Sequence, residues 1–174
     1  MKRICIPIAT FLSVSAVSYG QAVTNPLSTD IKQAYESVKQ NLTRAADAVP
    51  QEDYSFKPTP EMRSLGQVLE HAATAQARSC NAVSAGESSG PVSAEGKAAV
   101  VAALKQSFAT CDKAFDALTD ADATEMVKLP WGQKTKLGAL AGVVTHDTEQ
   151  YAALSVYMRL KGIVPPSSER KNGR

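Results

Sequence analysis

The strongest constraint on the fold of this 174-residue chain is a helical spacing of apolar residues that recurs in four separate segments. In the first segment the apolar residues are Ile31, Tyr35, Val38, Leu42, Ala45 and Val49. Steps of three and four residues place these side chains on one face of a helix. Ser28 or Thr29 can cap its start and Pro50 ends it, so the pattern predicts helix 1 over about residues 29–48.

Three further segments show the same spacing. Ser64 can cap helix 2, which ends near Gly86, and a linker rich in Ser and Gly follows over residues 87–96. Helix 3 ends at the Asp- and Thr-rich turn Thr119–Thr124. Helix 4 covers about residues 135–161 and ends at Gly162, before Pro165-Pro166. Four amphipathic helices predict an all-α, four-helix bundle.

Two connections between these helices are predicted to be loops. Residues 51–63 contain two prolines, and their large apolar residues Tyr54, Phe56 and Met62 lack helical spacing. We expect an ordered loop whose apolar side chains pack on the bundle. The second loop contains Pro130-Trp131-Gly132 and leads into helix 4. Since aromatic residues make up only 6% of the chain and β-branched residues do not cluster, an all-β fold is excluded.

The first twenty residues have the composition of a secretory signal peptide. Lys2 and Arg3 precede an apolar run over residues 4–17, and the small residues Ser18 and Gly20 follow it. We expect cleavage after Gly20 or Ala22, and a mature protein that is secreted or periplasmic and not held at a membrane. The predicted organisation is then a signal peptide at 1–20, a short segment at 21–28, the bundle at 29–168 and a disordered basic tail at 169–174.

The charge of the mature chain argues against polyanionic partners. The chain has 19 basic and 17 acidic residues, and two of the basic ones, Lys2 and Arg3, leave with the signal peptide. A balanced surface gives no electrostatic basis for binding nucleic acid or an anionic membrane. Cys-x-x-Cys-His is absent from the sequence, which excludes a c-type cytochrome of the bundle class.

Both histidines fall beside the apolar stripes of their helices. On helix 4, a face that flanks the stripe contains His146, Gln150 and Tyr157, and on helix 2 His71 lies on a similar flank. Two such flanks can line a groove between neighbouring helices, where bundles form metal and ligand sites. Asp147 instead points into the apolar stripe, where an unpaired carboxylate is costly. It needs a partner, and a histidine N–H or a metal-bound group would serve.

Three segments carry a resemblance to a known family. They are MRSLGQVLEH at residues 62–71, THDTEQY at 145–151 and YMRLKGIVPPS at 157–167. These segments resemble the DinB/YfiT-like helical-bundle family, and specifically its exported branch, over roughly Thr29 to Ser168. The closing Gly-Ile-Val-Pro-Pro-Ser is the most specific part.

The resemblance implies a metal site of three histidines, one on helix 2 and an i, i+4 pair on helix 4. His71 and His146 match two of these positions, and Gln150 occupies the third. A glutamine carbonyl is a neutral oxygen donor and a poor replacement for imidazole toward zinc, nickel or iron. The sequence therefore departs from the family pattern at the residue that would complete the site.

Two hypotheses of function follow from the resemblance. In the first, the protein is a metal-dependent hydrolase or thiol-dependent transferase, with His71, His146 and Gln150 as ligands, Asp147 behind them and Tyr157 as a wall of the groove. In the second, the metal site has decayed, and a cell-envelope protein without catalytic activity uses the same groove for a small apolar ligand or partner. Gln150 favours the second. The sequence names neither the small molecule nor the oligomeric state, and a homodimer is an open alternative.

The resemblance also bears on the two cysteines of the mature chain, Cys80 and Cys111. If helices 2 and 3 formed an antiparallel hairpin, the two cysteines would lie about 16 Å apart along the axis and no bond could form. If the helices run parallel, the cysteines lie level, because each is sixteen residues from the start of its helix, at Ser64 and Glu95. The resemblance implies the parallel, up-down-down-up course and a disulfide, and two buried free thiols are the alternative.

Overall fold

The computed structural model describes residues 24–84 and 94–169. Its helices are α1 (Pro26–Ala48), α2 (Leu65–Val83), α3 (Gly96–Ala117) and α4 (Lys136–Leu160). Two short strands, β1 (Met126–Leu129) and β2 (Gly132–Thr135), precede α4, and 3-10 turns occupy Gln51–Ser55 and Pro166–Ser168. The all-α bundle is confirmed. The predicted signal peptide, residues 85–93 and the tail beyond Glu169 lie outside the described residues.

Contacts between the helices establish the up-down-down-up course. Gln76 bonds Ser107, and Cys80 lies against Cys111 at the same offset along both helices, so α2 and α3 run parallel. Lys97, at the start of α3, donates to the carbonyl of Asp47 at the end of α1. At the other end of the bundle, the carboxylate of Asp120, just after α3, accepts from the backbone of Leu27 and Ser28, so α1 is antiparallel to α3.

Cys80 and Cys111 form a disulfide in this structure, with their Cα atoms 5.0 Å apart. Both residues are fully buried. The bond therefore links α2 and α3 inside the bundle, and the parallel course of these helices allows it. The alternative of two free thiols is not what the structure contains.

The start of helix 1 differs from the prediction. The helix begins at Pro26, three residues before Thr29, and neither Ser28 nor Thr29 caps it with a side chain. Asp120 does so from a distant part of the chain, by accepting hydrogen bonds from the N–H groups of Leu27 and Ser28 at 3.1 and 2.8 Å. A carboxylate at a helix N-terminus is stabilising. Helix 1 therefore includes residues 26–28, which the sequence placed in the preceding segment, because a cap 92 residues away leaves no local pattern.

The loop predicted around Pro130-Trp131-Gly132 is an antiparallel β-hairpin. Leu129 pairs with Gly132, so Pro130 and Trp131 form a two-residue turn, and Gly132 has a φ of 134° that favours glycine. Strands of four residues are too short to show a clear alternation in sequence. Lys136 secures the base of the hairpin through ion pairs with Asp122 and Glu125, both at 2.8 Å.

Most helix ends lie close to the predicted positions. Ser64 and Gln67 form a reciprocal capping box at the start of α2. Gly162, with a φ of 73°, ends α4, and the next amide, that of Ile163, donates to the carbonyl of Met158. Glu169, predicted to begin the disordered tail, instead forms an ion pair with Arg44.

The connection after α1 packs on the bundle, as predicted for its aromatic residues. Tyr54 is buried and its hydroxyl donates to the carbonyl of Ala46 at 2.7 Å. Phe56 meets the ring of Tyr157 edge-on. Met62 is the exception, since 41% of it is exposed. No helix among residues 24–84 and 94–169 is long and apolar enough to span a membrane.

Candidate metal site and adjoining cavity

Two histidines meet where α2 packs against α4. His71 lies in the second turn of α2, His146 lies near the middle of α4, and their Nε2 atoms are 3.1 Å apart. The rings approach edge to face, with centroids 4.9 Å apart. Without an ion, one Nε2–H donates a hydrogen bond to the other Nε2, so the accepting nitrogen has no proton.

Gln150 lies one helical turn after His146, and its side-chain Nε2 is 3.4 Å from His146 Nε2. A half-turn of the amide group exchanges its nitrogen and oxygen, and would bring the carbonyl oxygen to this position. The i, i+4 spacing thus places Gln150 and His146 on one face, opposite His71.

The surroundings of His71 favour its neutral form. Partial burial lowers the pKa of His71, and the positive charge of Arg63 lowers it further, with His146 and Arg78 acting in the same direction. A neutral imidazole is the form that binds a metal ion. His71 is therefore in its ligand form at neutral pH.

Asp147 is fully buried, as its position in the apolar stripe predicts. His146 lies beside it, with Nδ1 3.5 Å from Asp147 Oδ1. That separation is too long for a good hydrogen bond, and among the described residues neither carboxylate oxygen nor His146 Nδ1 has a hydrogen-bond partner. Burial raises the pKa of Asp147, against the opposing effect of His146.

These donors fit a divalent ion only in part. Two imidazole nitrogens that share a tetrahedral zinc ion lie about 3.3 Å apart, because each metal–nitrogen bond is about 2.0–2.1 Å. The observed 3.1 Å between the two Nε2 atoms is close to this separation. Within the described part of the chain, however, no group of three His, Cys, Asp or Glu side chains is placed to hold a metal ion. A third protein ligand would have to be the amide of Gln150.

A cavity of about 310 Å³ adjoins the histidine pair, between α2, α4 and the hairpin. His146 contributes to its wall, Leu129 and Trp131 line it from the hairpin, and Gln76 lines it from α2. This cavity was not predicted from the sequence. The signal in the sequence was the single Trp of the chain, set in a Pro-Trp-Gly turn.

Gln76 is a second residue that the sequence analysis did not single out. It is 1% exposed, and its Nε2 donates to Ser107 Oγ. Its Oε1 has no hydrogen-bond partner among residues 24–84 and 94–169. Helical spacing can place Gln76 on the buried face of helix 2, but an unsatisfied amide oxygen beside a cavity cannot be read from spacing.

Tyr157, predicted to be a wall of the groove, is not among the residues that line this cavity. Only 3% of it is exposed, and its hydroxyl donates to the carbonyl of Arg63 just before α2. Tyr157 therefore joins the end of α4 to the start of α2, about two turns beyond Gln150.

Comparison with known proteins identifies one matching family and solved structures with the same fold. The sequence profile of the DinB superfamily matches residues 34–152, which is about two thirds of the chain. No curated protein matches.

Two solved structures share the fold. A DinB-like protein from Bacillus cereus superposes with a TM-score of 0.64 at 17% identity, over 79% of this chain and 95% of that one. A DinB-like protein from Bacillus subtilis gives a TM-score of 0.64 at 19% identity, over 76% of this chain and 92% of that one.

Proposed function

This chain belongs to the DinB superfamily, and on that premise we propose that it is an exported protein with a weakened divalent-metal site between α2 and α4. One observation carries the proposal. The Nε2 atoms of His71 and His146, from different helices, converge to 3.1 Å, and the side-chain Nε2 of Gln150 is 3.4 Å from His146 Nε2. Histidine side chains placed in this way are separated by nearly the distance that a shared ion requires.

Each residue of the site has a distinct part in this proposal. His71 and His146 supply two nitrogen ligands, and Gln150 supplies its carbonyl oxygen after a turn of its amide. Asp147 lies behind His146, with Oδ1 3.5 Å from Nδ1. A carboxylate that closed this distance on metal binding would accept a hydrogen bond from Nδ1–H, fix the ring and increase its basicity. An ion held here would polarise a bound carbonyl or phosphoryl oxygen, or activate a water molecule or a thiol.

Gln150 makes the site weak. A neutral amide oxygen is a poorer donor than imidazole toward zinc, nickel or iron. Two imidazoles and an amide leave much of the coordination to water. We therefore expect weak binding of zinc or nickel by the wild-type protein.

The test is to restore the third histidine. Gln150→His should bind zinc or nickel at least about tenfold more tightly than wild type, because it adds a strong nitrogen donor facing His71. His71→Ala in that background should remove the gain. Glu149→His is the matched control, since it adds a histidine at the neighbouring exposed position. Isothermal titration calorimetry on tag-free protein measures all four proteins.

Two results would contradict the proposal. Equal affinity of Gln150→His and wild type would show that the three side chains do not converge on one ion. Stoichiometric metal in the wild-type protein as purified would show that the site is not weakened, and would favour the metal-dependent enzyme.

A second candidate function is a binding role without catalysis. The cavity of about 310 Å³ beside His146 supports it, since that volume is at the lower end of the range of small-molecule sites. In this alternative, the protein binds a small molecule at the cell envelope, and the histidine pair is a remnant of the family's metal site.

Export is the third part of the proposal. The basic and apolar start of the sequence supports it, and so does the Cys80–Cys111 disulfide, a type of bond that persists in oxidising compartments. The secreted form should begin at Gln21 or Val23, as measured by intact mass. A mature chain that retained residues 1–20 would contradict export.

A further inference from the structure

We infer that the cavity between α2, α4 and the hairpin binds a small planar aromatic carboxylate that carries a hydroxyl group. This inference rests on the second candidate function and gives its ligand a chemical class. It does not require a metal ion. Three features carry it: a cation on the inner face of the hairpin, an aromatic side chain at the turn and an unsatisfied amide inside.

The cation is Lys134. In the hairpin Val127 pairs with Lys134 and Leu129 pairs with Gly132. Paired residues of an antiparallel ladder share a face, and alternate residues of a strand share a face. Lys134 therefore lies on the same face as Leu129, which is only 4% exposed. Lys128 pairs with Gln133 and lies on the opposite face.

Within the described ranges, Lys134 has no anionic partner, whereas Lys136, two residues on, pairs with both Asp122 and Glu125. None of the described residues that line the cavity is Asp or Glu. A cation at the edge of an otherwise neutral cavity favours a negatively charged ligand.

The aromatic residue is Trp131, which is 58% exposed although it lines the cavity. Large aromatic side chains are usually mostly buried. Three of the α4 residues that line the same cavity are small, Gly138, Ala139 and Gly142, and they leave space for a flat ring beside the indole. Stacking between two aromatic rings stabilises such a complex beyond the area that it buries.

The unsatisfied amide is that of Gln76. Its Nε2 donates to Ser107 Oγ, and its Oε1, which has no partner among the described residues, can accept a hydrogen bond. A buried acceptor without a partner is costly, and a ligand that donates to it recovers that cost. A hydroxyl at the end of the ring opposite the carboxylate would supply the donor.

The first experiment compares three ligands with the wild-type protein by calorimetry, in the presence of a chelator. The probes are 4-hydroxycinnamate, cinnamate, which lacks the hydroxyl, and 4-hydroxycinnamamide, which lacks the charge. We expect 4-hydroxycinnamate to bind about fivefold more tightly than either analogue, since each loses one polar contact. Equal affinity for all three, or no binding, would overturn the inference.

The second experiment compares variants. Lys134→Met should weaken the binding of 4-hydroxycinnamate about fivefold and leave the binding of 4-hydroxycinnamamide unchanged. Lys128→Met, on the outer face, should change the binding of neither ligand. Gln76→Met should remove the preference for the hydroxyl. Gly142→Leu should abolish binding of all three, because a Cβ at this position meets no atom within 4 Å and the larger side chain fills the cavity. Equal losses in Lys134→Met and Lys128→Met would overturn the inference.

The outcome is separable from that of the metal proposal. His71→Ala removes one proposed metal ligand, and His71 does not line the cavity, so this variant should bind 4-hydroxycinnamate as wild type does. Loss of binding in His71→Ala, or binding only with added nickel, would refute a site that acts without metal. Failure of Gln150→His to bind metal would leave this inference standing.

Discussion

Helix α2 makes two long contacts in the bundle, and they differ in what they leave unpaired. Against α3, Cys80 is bonded to Cys111 and Gln76 donates to Ser107. Against α4, His71 contacts a ring nitrogen of His146, and within the described part of the chain Asp147 is buried without a hydrogen bond. Buried polar groups are normally satisfied. We therefore propose that the α2–α3 contact serves stability and that the α2–α4 contact is arranged for a ligand.

The disulfide gives the largest expected effect. Changing both Cys80 and Cys111 to Ala should lower the free energy of unfolding by about 3–4 kcal/mol, because the bond closes a long loop in the unfolded chain. The two residues are 31 apart in sequence. Urea unfolding measures the loss. A reductant should destabilise wild type but not the double variant, and equal stability of the two oxidised proteins would show that the α2–α3 contact does not depend on the bond.

Substitution of Asp147 tests the contact between α2 and α4. Asp147→Asn should stabilise the metal-free protein by about 1 kcal/mol, since a neutral amide is less costly to bury than an unpaired carboxylate. In the Gln150→His background the same change should weaken nickel binding by about tenfold, because His146 loses the group behind it. Asp116→Asn, on the surface of α3 and paired with Lys32, is the control. A loss of stability in Asp147→Asn would show that the carboxylate is satisfied after all.

Substitution of two glycines of α4 should have a smaller effect on stability, and each glycine serves as the control for the other. Gly142→Ala should stabilise the protein by about 0.5–1 kcal/mol, because alanine is the better helix former and its Cβ meets nothing within 4 Å. At Gly138 a Cβ would lie 2.9 Å from Thr135 Oγ1, which caps α4. Gly138→Ala should therefore stabilise the protein less than Gly142→Ala does, or destabilise it. Thermal unfolding that ranked the two in the reverse order would contradict an open cavity at Gly142.

The smallest effect concerns the turn that supports the hairpin. Hydrogen bonds from Lys136 and Thr119 hold the pKa of Asp122 well below its usual range. A lowered carboxyl pKa contributes stability above the unfolded value of about 3.9, and this contribution is lost as the pH falls below it. The difference in melting temperature between wild type and Asp122→Asn should therefore shrink between about pH 6 and pH 2. A difference in melting temperature that did not depend on pH would show that the charge of Asp122 does not contribute to stability.

Local patterns predicted much of the bundle. The caps at Ser64 and Gly162 and the breaks at Pro50 and Thr119 each depend on residues within one turn of a helix end. The burial of Asp147 was also predictable, because helical periodicity assigns a face to every residue. That no described side chain forms a hydrogen bond with it was not predictable, since this depends on what the other helices bring to it.

The candidate site shows the same limit. The i, i+4 spacing of His146 and Gln150 is local, and the sequence contains it. The meeting of His71 with His146 depends on the antiparallel contact of α2 with α4, and the resemblance to a family supplied that expectation. The cavity depends on the hairpin, which the sequence analysis assigned to a loop.

The number of helices, the ends of most of them and the faces that they bury could be read from the chain alone, because these follow from spacing and from short-range hydrogen bonds. Three features appear only when the chain is folded: Asp120 caps a helix 92 residues away, two histidines approach to 3.1 Å, and Lys134 lines a cavity. These features require the packing of elements distant in sequence. Packing is set by the fit of whole surfaces, and no local pattern records that fit.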